Sequence, residues 1–322
     1  MQAKITTNSV SVTLNTKFRW LLKRIWKYKA YYVFLLPAVL YVAIFHYGPL
    51  YGLQIAFKDF NGAFGIAGSK WVGLKHFESF FNGYYFWLLI KNTFAISIYF
   101  LAVSFPIPII LALMLNEIEG RYKKIVQTVM YAPHFISTVV MVGIIMTMFS
   151  PSIGVVNTVR EFLGLERLYF ITMPEAFRHL YVWSGVWQSM GWSAVIYIAA
   201  LSGVDPELLE AATIDGASRM QRIIHINIPV IKPVIVILFI MAVGRLASVG
   251  YGAGGYEKIY LLQNDLNVDV SEVISTYVYK RGILNAQYSF TSAVDIFNNV
   301  VNVVMLLTAN AVSRKVGETS LF

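Results

Sequence analysis

Glu210-Ala211-Ala212-Thr213-Ile214-Asp215-Gly216, with Ile226-Asn227-Ile228-Pro229 nine residues beyond the glycine, is a soluble-looking stretch caught between two strongly apolar segments. It reads as helix, turn, helix. Asp205 can cap the first helix, Pro206 suits its first turn, and Glu207 meets the positive end of the helix dipole. Gly216 falls where that helix ends, a position that tolerates a left-handed backbone. A second short helix carries Arg219, Arg222 and His225 and is closed by Pro229. Flanked as it is by apolar runs, this polar hairpin is held at a membrane surface.

Composition leads to the same class. Of the 322 residues, 57% are hydrophobic and only 13% charged, and the mean hydropathy is +0.61, far from an ordinary soluble domain. Runs of the roughly 20 apolar residues that cross a bilayer recur at about 31–54, 89–115, 124–149, 180–202, 229–249 and 290–313. The chain is therefore read as an all-α integral membrane protein with six transmembrane helices. The longest connections, 55–88 and 250–289, can hold short helices but no independent core.

The net charge of +9 sits where topology needs it, not where a nucleic acid would bind. Lys4, Lys17, Arg19, Lys23, Arg24, Lys27 and Lys29 precede the first run, and Arg121, Lys123, Lys124, Arg219, Arg222, Arg314 and Lys315 follow the second, fourth and last. With six spans all of these lie on one side, the cytoplasm by the positive-inside rule, together with both termini and the Glu210 hairpin. Phe18, Leu21, Leu22 and Ile25 share a helical face ringed by basic residues and anchored by Trp20 and Trp26, which suits a helix lying in the headgroup region. A signal peptide is excluded by the length of the following run, the missing small-residue cleavage site and the spans that come after it.

Chemical motifs are sparse. There is no cysteine, hence no disulfide and no thiolate-held metal or cluster. His46, His76, His134, His179 and His225 are scattered without ligand spacing. No phosphate-binding loop is present, so ATP is not expected on this chain. Gly250-Tyr251-Gly252-Ala253-Gly254-Gly255 satisfies a dinucleotide pattern, yet it follows a membrane helix, not a strand, and is read as a flexible external loop. No nucleophile elbow or Ser/His/Asp set appears, and the chain is expected to be no enzyme.

Polar residues inside the runs remain to be explained. Asp295, Asn298, Asn299 and Asn302 form one face of the last helix. That face either lines a path or makes interhelical hydrogen bonds, worth about 0.6–2 kcal/mol each in lipid. Arg245 lies about 24 Å along a helix begun at Pro229, where it meets water, a carboxylate such as Asp295, or substrate, or snorkels outward. Trp183 suits an interfacial anchor; Trp187, Gln188 and Trp192 sit deeper, and an aromatic face beside an amide suits a sugar ring. His134, after Pro133, is expected to satisfy backbone groups that the proline loosens.

The Glu210 hairpin resembles the EAA loop of ABC-importer permeases: EAA, three residues, Gly, nine residues, I-x-L-P, with Ile228 replacing the usual Leu. The resemblance extends through Trp71-Val72-Gly73-Leu74-Lys75-His76-Phe77, Pro133-His134-Phe135-Ile136-Ser137, Tyr256 to Leu262 and Val273 to Tyr279, and is similar to sugar-importer permeases of the oligo- and polysaccharide branch, which includes an alginate-importer subunit. It implies a type I importer core at 89–313 in the bacterial inner membrane, with the coupling loop at 203–229. A cytoplasmic N-terminal segment 1–30, a first span 31–54, an external loop 55–88 and a cytoplasmic tail 314–322 surround that core. It implies that Glu210, Ala211, Ala212, Asp215, Gly216, Arg219, Ile226 and Pro229 dock on a cytoplasmic ATPase. It also implies that Gln188, Ser189, Trp192, Arg245 and Ser248 line the substrate pocket, to which the polar face adds Asp295, Asn298 and Asn302. The implied partners are a second, related permease, two ATPase subunits that bind the ATP and Mg, and an extracytoplasmic solute-binding protein. Arg245 suits an acidic saccharide such as a uronate oligomer. The rival reading is a secondary transporter or channel with an ion path along the Asp295 face; it predicts an inverted repeat, which the sequence lacks.

Overall fold

The structure, a computed structural model, describes residues 20, 24–118, 120–249, 254–317 and 319–321. Phe18, Leu21 and Leu22 of the expected interfacial helix, and Gly250 to Ala253 of the glycine-rich run, lie outside the described residues.

The chain is almost entirely helical. Helix α1 (Lys29–Val42) continues through a π turn and a 3-10 stretch as one apolar rod over Lys29–Phe57. A minimal hairpin follows, β1 (Lys58–Asp59) antiparallel to β2 (Lys70–Trp71), and then α2 (Lys75–Phe81). The Asp59 carboxylate pairs with Lys75 at 2.8 Å and faces His76 at 3.2 Å. The Lys75 hydrogen bond holds that carboxyl below its usual range.

Helices α3 (Phe86–Ser104) and α4 (Pro106–Asn116) run on as a single apolar length over Phe86–Asn116. The third expected run does not. It breaks into α5 (Gly120–Tyr131), a 3-10 turn (Ala132–Phe135) and α6 (Thr138–Met148), bent by 96°. Pro133 has no N–H to continue the ladder and disfavours helical geometry at the residue before it. Ser137 restarts the helix by accepting from the Val140 N–H.

Helix α7 (Val155–Phe162) is short, whereas α8 (Pro174–Leu201), with 28 residues, is about 42 Å long. Next come α9 (Pro206–Ile214), α10 (Arg219–Arg222), α11 (Ile228–Val243), α12 (Gly255–Leu262), α13 (Ile274–Val278) and α14 (Tyr288–Lys315). Among the described residues four helices are long and apolar enough to cross a membrane: Lys29–Phe57, Phe86–Asn116, Arg219–Val243 and Tyr288–Lys315, with the bent pair as a fifth. Helix α8 has the length but carries Glu175, Arg178, His179 and Gln188.

The fifth run departs from expectation at both ends. Pro229 does not close the second hairpin helix. A π turn at Ile223–Asn227 widens the ladder just before it, and the helix continues into α11. At the other end α11 stops at Val243 and not near 249. There Gly244 packs so closely on α14 that a Cβ would lie 2.7 Å from Leu306 Cδ1. Gly254 takes φ +86° and α12 begins at once, packed on α6 and α8.

Helix α8 is the central post. Ile96, Met141, Ile145, Tyr181, Val182 and Ile259 join it to α3, α6 and α12. Ala112, Leu113, Ala194, Leu201 and Ile231 join its other end to α4 and α11. Phe80, Leu89, Ile274 and Val294 form a third cluster holding α2, α3, α13 and α14 together.

Candidate functional site: a docking hairpin and a central cavity

The hairpin is built by three caps. Asp205 accepts from the Glu207 N–H at 2.9 Å and opens α9. At the other end the Gly216 N–H bonds Thr213 O and the Ala217 N–H bonds Ala212 O, with Gly216 at φ +78°. This pairing is a Schellman closure, which satisfies carbonyls the helix leaves free. Ser218 and Gln221 form a reciprocal capping box at α10, which the S-x-x-Q spacing could have revealed and which the sequence reading missed. Arg222 reaches back to the Thr213 hydroxyl, tying the two arms together.

Glu210, Ala211, Asp215, Gly216, Arg219 and Pro229 are exposed, Ala212 and Ile226 half-buried. Ile226 packs on the cluster around Ile231, so the hairpin is anchored to the bundle at its base. Large apolar side chains stand free on its outer side: Ile214 is 87% exposed, Met220 63% and Leu208 54%. Beside them Glu117, Glu210, Arg219 and Arg222 line a cleft of about 530 Å³. Exposed apolar groups ringed by charges are the mark of a protein-binding face.

The second feature is a cavity of about 770 Å³ between α3, α4, α8 and the end of α11. Ser189 and Trp192 of α8, and Arg245 and Ser248 from the turn after α11, line it together, as do Ser97, Ser104 and Ser193. Of the remaining expected path residues, Gln188, Asp295, Asn298 and Asn302 lie outside that lining. Gln188 is buried and its amide donates to Ile136 O at 2.7 Å. Asn302 accepts from the Ala247 N–H at 3.0 Å and donates to Ser248 Oγ at 2.8 Å, bracing the turn that carries Arg245. Asp295 is exposed and Asn298 half-buried on the same face of α14.

One lining residue was misread from the sequence. His134 does not serve the backbone at the proline break; Gln188 does that. The imidazole instead lies parallel to the Trp192 indole, ring centroids 4.7 Å apart, inside the cavity.

A bundle with apolar helices long enough to cross a membrane, a largely apolar cavity also lined by Arg245, His134 and five serines, and an exposed polar hairpin between two of its helices is the architecture of a transport subunit. Residues 104–315 match the family described as binding-protein-dependent transport system inner membrane component. The chain belongs to that family, and its relatives are permeases of sugar and polysaccharide ABC importers. It is 40% identical to the polygalacturonan/rhamnogalacturonan transport system permease protein YteP of Bacillus subtilis (strain 168), covering 95% of this chain and 94% of that protein. It is 38% identical to protein LplB of the same organism, over 90% of each. Its fold superposes with a TM-score of 0.84, at 40% identity, on a chain in the crystal structure of a bacterial alginate ABC transporter in complex with an alginate pentasaccharide-bound periplasmic protein. That match covers 94% of this chain and 99% of the other. Family membership sets aside the ion-path reading of the Asp295 face.

Proposed function

We propose that this chain is one of two related but different permeases that enclose the path of an acidic, uronate-type oligo- or polysaccharide across the bacterial cytoplasmic membrane. It crosses six times, α8 supplying the fourth span despite the charged residues in its first turns, with both termini and the Glu210 hairpin in the cytoplasm. A binding protein delivers substrate to the outer face. Two ATPase subunits bind ATP and Mg and hydrolyse the nucleotide; when they close they draw the hairpins of the two permeases together and open the path outward. Glu210 to Gly216 transmit force and perform no chemistry.

The observation that carries the substrate class is the charge of the cavity. Among the described residues its lining holds Arg245 but no carboxylate, beside five serines and an indole. A fixed guanidinium recognises a carboxylate well, and hydroxyls with an aromatic ring suit a pyranose. The names of the relatives, polygalacturonan and alginate transporters, agree with that chemistry.

The test begins with affinity purification of the chain, expressed with its genomic neighbours, from solubilised membranes. Recovery of a second permease and an ATPase is expected. In proteoliposomes, substrate-loaded binding protein should stimulate ATP hydrolysis, and Arg245→Gln should abolish uptake of oligouronates while leaving assembly intact. A chain that purifies alone, or an R245Q complex that transports oligouronate normally, refutes the proposal.

A further inference from the structure

We infer that His134 is a substrate-contacting residue of the transport path, acting from the broken third span against Trp192 of α8. The inference rests on the saccharide-path reading above and adds to it a residue that reading does not need.

Four observations point to it. First, the break at Pro133 turns the chain by 96° at this place and presents His134 to the cavity. Second, the imidazole is held flat against Trp192, at 4.7 Å and 0°. The stack fixes the ring plane, so the two nitrogens, which lie in that plane, are fixed in direction. Third, among the described residues neither ring nitrogen has a hydrogen-bond partner, so both are open to a ligand. Fourth, the seat is specific. A Cβ on Gly191 would come within 2.1 Å of Met130 O, so only glycine lets the end of α5 lie against α8 here, and Gln188 pins Ile136 O one turn away. Two residues of α8 thus set the position of the histidine that stacks on a third.

The chemistry of the pair fits one ligand class. A uronate ring offers an apolar C–H face, hydroxyls and a carboxylate. The indole takes the apolar face, the imidazole edge takes a hydroxyl or carboxylate oxygen through its N–H, and Arg245, which lines the same cavity, takes the charge.

The experiment uses the purified permease–ATPase complex without its binding protein, so that selectivity measured belongs to the path. The probes are trigalacturonic acid and its fully methyl-esterified form, titrated by saturation-transfer NMR. The wild-type complex should bind the free acid more tightly than the ester. His134→Phe keeps a flat ring on Trp192 but removes both nitrogens; it should weaken binding of both forms about tenfold, the loss of one hydrogen bond. His134→Gln should recover part of that loss, which repair of a merely structural defect would not. Unchanged affinity in H134F with weakened acid binding in R245Q overturns this inference and leaves the acidic-path reading standing. Equal binding of acid and ester by wild type and R245Q overturns that reading instead. No binding of either probe to the wild-type complex overturns both.

Discussion

Replacing Gly191 by alanine tests how α5 sits on the central helix. A Cβ at that position would stand 2.1 Å from Met130 O, 2.6 Å from Met130 C and 3.2 Å from Met130 Cβ. Carbon contacts are comfortable from about 3.5 Å, so the end of α5 must withdraw by about 1 Å or more. The obstacle is backbone, with no rotamer to relieve it, which places the penalty toward the upper end of the overpacking range, about 3 kcal/mol. Alanine in mid-helix recovers about 0.5–1 kcal/mol of backbone entropy, leaving a net loss of about 2 kcal/mol. Gly143 in α6 supplies the opposite case: nothing lies within 4 Å of its Cβ position, so Gly143→Ala should gain about 0.5–1 kcal/mol. The assay is the thermal midpoint of the detergent-purified complex, followed by size-exclusion recovery. G191A should melt about 5 °C lower and G143A at or above wild type. Because the His134 turn follows directly from Met130, G191A should also lower saccharide uptake. A G191A complex as stable as G143A would refute the contact, and with it the account of how His134 is seated.

Other consequences are as direct. Gly216→Val has room for its side chain but not the backbone, since φ +78° costs an L-residue about 1–2 kcal/mol; substrate-stimulated ATP hydrolysis and uptake should fall together while membrane insertion, measured by fractionation, is unchanged. Asn302→Ala strands the Ala247 N–H, which is 1% exposed as a residue, and should cost about 1–3 kcal/mol in the same melting assay, with reduced uptake as the Arg245 turn loosens. Lys258, fully buried, donates to the Tyr181 carbonyl at 3.3 Å and stands 5.4 Å from the Tyr181 ring centroid; burial pushes its ammonium down to about 7. Unfolding therefore takes up a proton between pH 7 and about 10.5, so wild-type stability should climb with pH across that window, and Lys258→Met should be more stable at pH 7 and lack the slope.

The hairpin was legible in the sequence because its signals are local. Asp205, Gly216 and the spacing to Pro229 each act within a few residues, and the structure realises two of the three as read. Pro229 misled because a π turn absorbs its missing N–H, a ladder defect with no sequence signature of its own. The cavity was legible only in part. Ser189, Trp192, Arg245 and Ser248 were placed by their position on the helices flanking the hairpin, and they converge. Gln188 and Asn302 have the same composition of signal, an amide in an apolar run, but their partners are a carbonyl 52 residues away and an N–H 55 residues away. Pattern along one helix cannot tell an amide that faces a cavity from one that braces a neighbour. His134 failed for the same reason: the proline was visible, the indole it would meet was not.

Those braces share a logic. Among the described residues two backbone interruptions face the central cavity: the turn around His134 and the turn after Val243 that carries Arg245. In a bilayer, irregular backbone survives only where protein or a polar cavity satisfies its freed groups. Here the freed Ile136 carbonyl is met by Gln188 and the Ala247 N–H by Asn302, while the Ser97 hydroxyl and the Asn298 carbonyl oxygen stay buried without a protein partner. The amides are therefore what allows Arg245 and His134 to be carried into the cavity on breaks instead of on continuous helices. A ring or guanidinium at a break can shift with one helix half and not the other. The proposed path residues sit where the bundle must bend if a movement of the hairpin is to reach them, and losing a brace should disturb transport before it disturbs insertion.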